Sequence, residues 1–356
     1  MIRAAPGSGT AVQSRRHIDG VLLLDKPRGI SSNHALLCAR RLLAADKAGH
    51  GGTLDPMASG LLPVLFGEAT KFAFDLLDAD KTYLATLTLG QISTTADGEG
   101  EISATGAKLP GEATLQAVLQ RFVGDIEQLP PMHSALKHQG RPLYDYARKG
   151  VQIERAPRRV RIHSVAITAF SLPRVVLRVT CSKGTYIRTL AQDIGEAAGC
   201  GAWLSDLRRE AVGPLTLSAS ISLEGLGDMD AAQRERTIAP IDCLLQSLPR
   251  IDVSADLARR FGHGQRLRVA GENAEPARRV AVFAGQTLLG LATLENGVIA
   301  PSRLVAVRDQ RLAPGVRPAA ELAGLTPASL TDLSTDRAFS KCGTTPPTGS
   351  LGDTNL

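Results

Sequence analysis

Residues 47–63 read KAGHGGTLDPMASGLLP. Gly49, Gly51, Gly52 and Gly60, with Pro56 and Pro63, rule out one continuous helix or strand. The stretch carries one carboxylate, Asp55, and one imidazole, His50. Pro56 keeps the backbone of Asp55 extended, so the carboxylate is presented from a restrained position. Leu61 to Gly67, LLPVLFG, follows as an apolar run of strand length. A carboxylate on a glycine-lined loop anchored by a buried strand suits a catalytic group. Taken alone, the same residues also read as a plain Asp-Pro turn. A triphosphate-cradling loop is a poor fit, because no Gly-Lys-Ser/Thr follows the glycines.

Upstream, Gly20 to Asp25 (GVLLLD) reads as a buried strand, stopped by Lys26-Pro27-Arg28-Gly29. Ser31 or Ser32 then caps a helix carrying Leu36, Leu37, Arg40, Leu43 and Ala44. Downstream, Glu68 to Leu77 suggests a short helix and Lys81 to Leu89 a strand. Tyr83, near the start of that strand, reads by itself as a half-buried sheet aromatic. Gly90 to Gly100 reads as a polar loop, and Asp97, like Asp78 and Asp80, as an ordinary loop acid. Glu112 to Phe122 has helical spacing of Leu115, Val118, Leu119 and Phe122. Gln128 to Gly150 opens on Pro130-Pro131 and finishes as a basic, tyrosine-bearing helix. Arg159 to Phe170 and Val175 to Cys181 alternate as paired strands.

Cys181 to Gly201 is the second informative stretch. A turn at Lys183-Gly184 leads into a helix near Thr185, with Ile187, Leu190 and Ile194 inward and Tyr186 and Arg188 on other faces. By residue type Arg188 is a solvated helix arginine. A cation at a helix N-terminus is nevertheless unfavourable, which points to an acidic partner. Trp203 to Val212 returns as a strand, and Ser220 to Leu248 holds short helical pieces. Leu248-Pro249 reads as a boundary, followed over residues 250–312 by a module of short strands. Residues 1–17 and 313–356 have the composition of disordered tails.

The chain has 356 residues, 43% hydrophobic, enough for two domains with a sizeable core. A net charge of +6, with arginines clustered at 148–161 and 259–279, favours an anionic partner. Five scattered cysteines without a C-x-x-C pattern suggest neither disulfide framework nor zinc site, and a reduced, cytoplasmic setting. No apolar run approaches membrane-spanning length, and Met1 to His17 has no signal-peptide core.

Five segments, GVLLLDKPRGISS, GHGGTLDPMASGLLP, DKTY, QLPPMHSALK and CSKGTYIRTLAQDIG, occur in this order. Together they resemble the TruB family of tRNA pseudouridine-55 synthases over about residues 18–215. The module after residue 250 is similar in place and size to the PUA-like barrel that many members carry. The resemblance implies an α+β fold. Its catalytic domain, residues 18–249, has a central mixed, mainly antiparallel sheet flanked by helices, and residues 250–312 form an RNA-binding PUA-like β-barrel. It implies isomerisation of the uridine at position 55 of the tRNA T-arm stem-loop. Asp55 falls on the catalytic aspartate, Tyr83 on the active-site tyrosine and Arg188 on the arginine that pairs with the aspartate. His50, Tyr186 and Leu207 match positions lining the RNA and nucleotide site. Lys26 and Pro27 match a motif beside it, and Gly52 and Thr53 belong to its loop. Gly51 stands where many members have threonine, and Ser93-Thr94-Thr95 is less acidic than usual; both departures are assigned to fine RNA contacts. The expected partner is tRNA, with no cofactor, metal, membrane or obligate protein partner, and the chain is expected to be a monomer.

Such a reaction moves no electrons between molecules. A carboxylate can stabilise charge at C1′, attack the sugar or remove a sugar proton, and attack on C6 of the base is a further option. The residues do not choose among these. A retaining glycosidase is the first rival, but it needs a second carboxylate as acid, and no comparable motif supplies one. An RNA-folding chaperone and a guide-RNA-dependent relative are the others.

Overall fold

The structure, a computed structural model, describes residues 15–134, 136–269 and 276–306. The expected tails therefore lie largely outside the described residues. Of residues 1–17, Arg15, Arg16 and His17 are described, and the Arg16 backbone bonds to Ala44 and Asp46.

The chain opens with β1 (Gly20–Lys26), α1 (Ser32–Leu42), β2 (Ala48–His50) and β3 (Ser59–Phe66). A 3-10 turn (Gly67–Phe72) leads into α2 (Ala73–Asp78) and β4 (Lys81–Leu89). The expected polar loop at 90–100 instead starts a ribbon, β5 (Gln91–Ser93) paired with β6 (Ile102–Ala104). Next come α3 (Glu112–Gln120), β7 (Gly124–Gln128), a two-residue ribbon of β8 (Lys137–His138) and β9 (Arg141–Pro142), and α4 (Leu143–Ala147). The helix expected near residue 150 is thus only five residues long. Then follow β10 (Arg158–Ser171), β11 (Arg174–Cys181), α5 (Ile187–Ala197) and β12 (Ala202–Val212). Short pieces complete this part: β13 (Leu215–Thr216), β14 (Ile221–Ser222), α6 (Leu223–Asp228), α7 (Ala231–Arg236) and β15 (Ile238–Ala239).

The main sheet runs β14-β1-β3-β12-β4-β11-β10-β7. It is mixed but mainly antiparallel; β12 meets β3 in parallel through only Arg208–Ser59 and Arg209–Gly60. Gly60 is required there. Its φ is +100°, and a Cβ would lie 2.4 Å from the Arg209 carbonyl oxygen. In β4 the alternation Tyr83, Ala85, Leu87, Leu89 turns one face inward, where Ile187, Leu190 and Ile194 of α5 complete the core. β1 and β3 are covered on both faces and so read as continuous apolar runs.

The last part holds β16 (Arg250–Asp252), α8 (Ala255–Gly262), β17 (Leu267–Arg268), β18 (Arg278–Ala284), β19 (Thr287–Glu295) and β20 (Val298–Leu304). They form a five-stranded sheet, β16-β18-β19-β20-β17. Inside it Val280, Val282, Leu289, Leu294 and Ile299 close around Phe261. One side is not closed: Ala281, Phe283 and Leu291 share a core with Leu61, Leu65, Phe72 and Leu76.

Candidate active site

Arg188 organises the site. It lies in the first turn of α5, with its side chain only 5% exposed. Each guanidinium nitrogen reaches a different segment. Nε lies 3.0 Å from Oδ2 of Asp55, Nη1 lies 3.2 Å from Oδ2 of Asp97, and Nη2 donates to the His133 carbonyl at 2.7 Å. The solvated arginine that residue type suggests is therefore corrected. A buried guanidinium needs acceptors on every nitrogen, and three loops provide them.

Asp97 is likewise no ordinary loop acid. Its side chain is 3% exposed, and its Oδ1 accepts from the Thr95 hydroxyl at 2.6 Å and the Glu99 amide at 3.0 Å. Ser93 and Thr95, in the loop whose departure was assigned to fine RNA contacts, tie this acid's turn together. One cation thus sits between a buried carboxylate, Asp97, and a 38%-exposed one, Asp55. The pairing aims Asp55 and leaves it open to the cavity.

The Asp55 loop is fixed from below. Ser31, rather than Ser32, caps α1. Ser32 is freed to grip Leu54: its hydroxyl donates to the Leu54 carbonyl at 2.9 Å and accepts from the Leu54 amide at 2.7 Å. Ala58 N–H closes the turn onto the Asp55 carbonyl at 3.0 Å. Gly52, at φ +115°, offers its carbonyl to Arg209 at 3.2 Å.

A cavity opens above this floor. Thr53, Asp55, Tyr83, Tyr186, Arg188 and Leu207 all line it. Tyr83 is buried, and desolvation raises its pKa, while the charge and hydrogen-bonding approach of Arg209 oppose that rise. Tyr186 is the residue capping α5, not a member of its first turn. The amide of Gln128 holds it at both backbone groups, accepting from its N–H at 3.0 Å and donating to its carbonyl at 3.3 Å. Burial raises the Tyr186 pKa.

Four of the expected residues stand outside the cavity wall. Gly52 lies beneath the loop. Lys26 is buried, its Nζ donating to the carbonyls of Pro27 at 2.9 Å and Ile30 at 2.7 Å. Burial lowers its pKa to about 8, against a pull upward from Asp55. Pro27 is exposed at the turn. His50 sits in β2, and burial with the charge of Arg209 lowers its pKa. Its Nδ1 has no hydrogen-bond partner among the described residues. No cluster of three or more metal-ligating side chains occurs among the described residues.

Ser32, Asp97, Gln128 and Arg209 were not legible as site residues. Arg209 left one signal. It follows Leu207 by two in a strand, so it occupies an inward slot where an apolar residue is expected. Asp97 left none, because its partner lies 91 positions away in another motif.

Three successive segments match family models. These are the TruB family pseudouridylate synthase N-terminal domain over residues 40–187, the tRNA pseudouridylate synthase B C-terminal domain over 188–246, and the pseudouridine synthase II TruB C-terminal model over 249–305. A curated tRNA pseudouridine synthase B from Burkholderia lata is 55% identical over 294 residues, covering 82% of this chain and 91% of that protein. This chain belongs to the TruB family of pseudouridylate synthases. A TruB relative from Ralstonia nicotianae is 54% identical over 307 residues, covering 84% of this chain and 98% of that protein. Among solved structures, an H/ACA ribonucleoprotein bound to a substrate RNA containing 2′-deoxyuridine superposes with a TM-score of 0.64 at 26% identity. It covers 82% of this chain and 86% of that one. A Cbf5–Nop10–Gar1 complex gives 0.63 at 27% identity over 80% and 84% of the two chains. The TruB chain is therefore an isomerase with the α+β pseudouridine synthase fold and a PUA-like C-terminal sheet. No helix among its described residues is long and apolar enough to cross a membrane.

Proposed function

We propose that this chain converts the uridine at position 55 in the T-arm of tRNA to pseudouridine, with Asp55 as the catalytic group. The observation that carries the reading is the arginine-held carboxylate of Asp55, open on one side, at the floor of a cavity walled by Tyr83 and Leu207. The uridine must leave its folded loop to reach that carboxylate, so it is flipped into the cavity. The C1′–N1 bond breaks, and its electron pair leaves with the uracil. Asp55 answers the positive character left at C1′, by any of the routes open to a carboxylate. The base turns, C5 bonds to C1′, the C5 proton leaves and N1 takes a proton. Atoms and electrons balance within one nucleotide. Tyr83 stacks on the detached base, and its hydroxyl handles the C5 proton.

His50, Tyr186, Leu207, Lys26, Pro27, Gly52 and Thr53 serve RNA binding or support the loop that meets the RNA. Residues 250–312 add RNA affinity to the catalytic unit at 18–249. The protein works alone, as a cytoplasmic monomer, on a bare T-arm stem-loop.

The test is incubation with unmodified tRNA, followed by mapping of pseudouridine by nucleotide. The expected product is pseudouridine at position 55 without free uracil. Asp55→Asn is expected to make none while binding tRNA within about tenfold of wild type, because RNA contacts are spread widely. Turnover by that variant would remove Asp55 from the central role. Free uracil would point instead to hydrolysis, and a need for a guide RNA to the ribonucleoprotein-type reading.

A further inference from the structure

Arg209 is a buried cation without a carboxylate. It is 1% exposed, and no acidic side chain pairs with it among the described residues. Its hydrogen bonds go to carbonyls: Nε to Leu61 at 2.7 Å, Nη2 to Gly52 at 3.2 Å and Nη1 to Thr53 at 3.5 Å. Leu61 lies on one side of Asp55; Gly52 and Thr53 lie on the other. Across the strand pair, Arg209 stands directly opposite Tyr83.

An uncompensated buried charge opposes folding, and an apolar residue of similar size serves a core better. Two lysines beside it deepen the cost. Lys26 and Lys81 are also buried, also end on carbonyl oxygens, and both feel the Arg209 charge. Charge retained against such opposition is a marker of use in the reaction.

We propose that Arg209 is a positioning residue for the isomerisation: its guanidinium clamps both ends of the Asp55 loop and orients the Tyr83 hydroxyl toward the detached uracil. The proposal rests on the roles given above to Asp55 and Tyr83. The uracil leaves with the C1′–N1 electron pair and is therefore anionic while detached. A fixed, buried cation behind Tyr83 favours that anion without reorganising. The guanidinium remains protonated throughout and exchanges no proton with the substrate.

The titratable groups facing Arg209 are Tyr83, Lys26, Lys81 and His50. Their presence makes the decisive experiment a comparison of pH profiles. Single-turnover rates at saturating tRNA are measured from about pH 6 to about pH 9 for wild type, Arg209→Lys, Arg209→Met, Tyr83→Phe and the Arg209→Met/Tyr83→Phe pair. Arg209→Met is expected to lose on the order of a hundredfold in rate with tRNA affinity nearly unchanged. Arg209→Lys keeps a charge but loses the fork, so it is expected to lose on the order of tenfold. It also gains an alkaline loss beyond any that Lys26 and Lys81 give wild type, because a buried lysine sheds its proton more readily than arginine. The double variant is expected to be no slower than its slower parent, since both changes break one unit.

Wild-type rate and profile in folded Arg209→Lys would overturn the proposal, and that arm decides the matter if Arg209→Met does not fold. Multiplying losses in the double variant would overturn the link to Tyr83. If Asp55→Asn is inactive and Arg209→Lys behaves as wild type, only this proposal fails. If Asp55→Asn is active, the underlying reading fails first.

Discussion

Arg188 has a single charge and two carboxylates to answer. Asp55 has solvent on one side, whereas Asp97 has none, so the two respond differently to loss of the arginine. Arg188→Met leaves Asp97 buried and unpaired, which is expected to cost about 3–5 kcal/mol of stability. Arg188→Met/Asp97→Asn is expected to recover part of that stability but none of the activity. Denaturant melts beside rate measurements check both, and a rescued rate would place Arg188 outside the chemistry. Lys26 and Lys81 carry a second residue-level expectation. Both ionise near pH 8 in the fold, against 10.5 in the open chain. Below pH 8 folded and unfolded chains both hold the protons, and the burial cost is fully present. Between about pH 8 and 10.5 the unfolded chain holds more protons, so their contribution raises stability as pH rises. Lys81→Met is expected to flatten that rise; equal slopes in variant and wild type would contradict it. The pairing of Asp55 with Arg188 was readable because each lies in a motif of its own. Asp97 and Arg209 were not, since burial of a charge depends on neighbours that only the folded sheet assembles.

At the scale of elements, α2 sets the environment of the Asp55 loop. The Gly51 departure from threonine, assigned to fine RNA contacts, also has a packing side. A Cβ on Gly51 would lie 2.3 Å from Cδ1 of Leu76 and 2.7 Å from its Cβ. Leu76 of α2 occupies the space that a larger residue at position 51 would need. Gly51→Thr is therefore expected to cost about 1–3 kcal/mol through overpacking. Leu76→Ala is expected to cost about 2–5 kcal/mol through a cavity. In the double variant the threonine fills part of the cavity, so the combined loss falls short of the sum. Chemical denaturation of the four proteins measures the coupling, and strict additivity would show that the two residues do not share a space. Periodicity made α1, α3, α5 and the long strands legible, because each buries one regular face. The short ribbons β5–β6 and β8–β9 were not, since two or three residues carry no readable period.

Across the whole molecule, the small C-terminal sheet is gripped as well as tethered. Lys71 donates to the Leu304 carbonyl at 3.0 Å, Glu68 accepts from the Ala306 amide at 2.7 Å, and Arg279 pairs with Asp75 at 2.7 Å. With the shared apolar core, these contacts mean that removing the sheet also uncovers β3 and α2, which makes truncation a poor test of RNA affinity. Surface charge is the better one. Arg266 and Arg268 are exposed. Replacing both by alanine is expected to weaken tRNA binding and lower the salt slope by about 2, leaving the single-turnover rate at saturating RNA unchanged. An unchanged salt slope would take this face off the RNA path. The position of β12 in the main sheet has a consequence of another kind. Among the described strands it alone joins β3, which follows the Asp55 loop, to β4, which carries Tyr83. A ribosome makes β3 (Ser59–Phe66) and β4 (Lys81–Leu89) long before it makes β12 (Ala202–Val212). Until then the edges of β3 and β4 that β12 covers have no strand to pair with, and an unpaired edge is a template for wrong pairing. Entry of β12 covers both edges and brings Asp55 and Tyr83 to one cavity, so that cavity cannot be complete until β12 has been made.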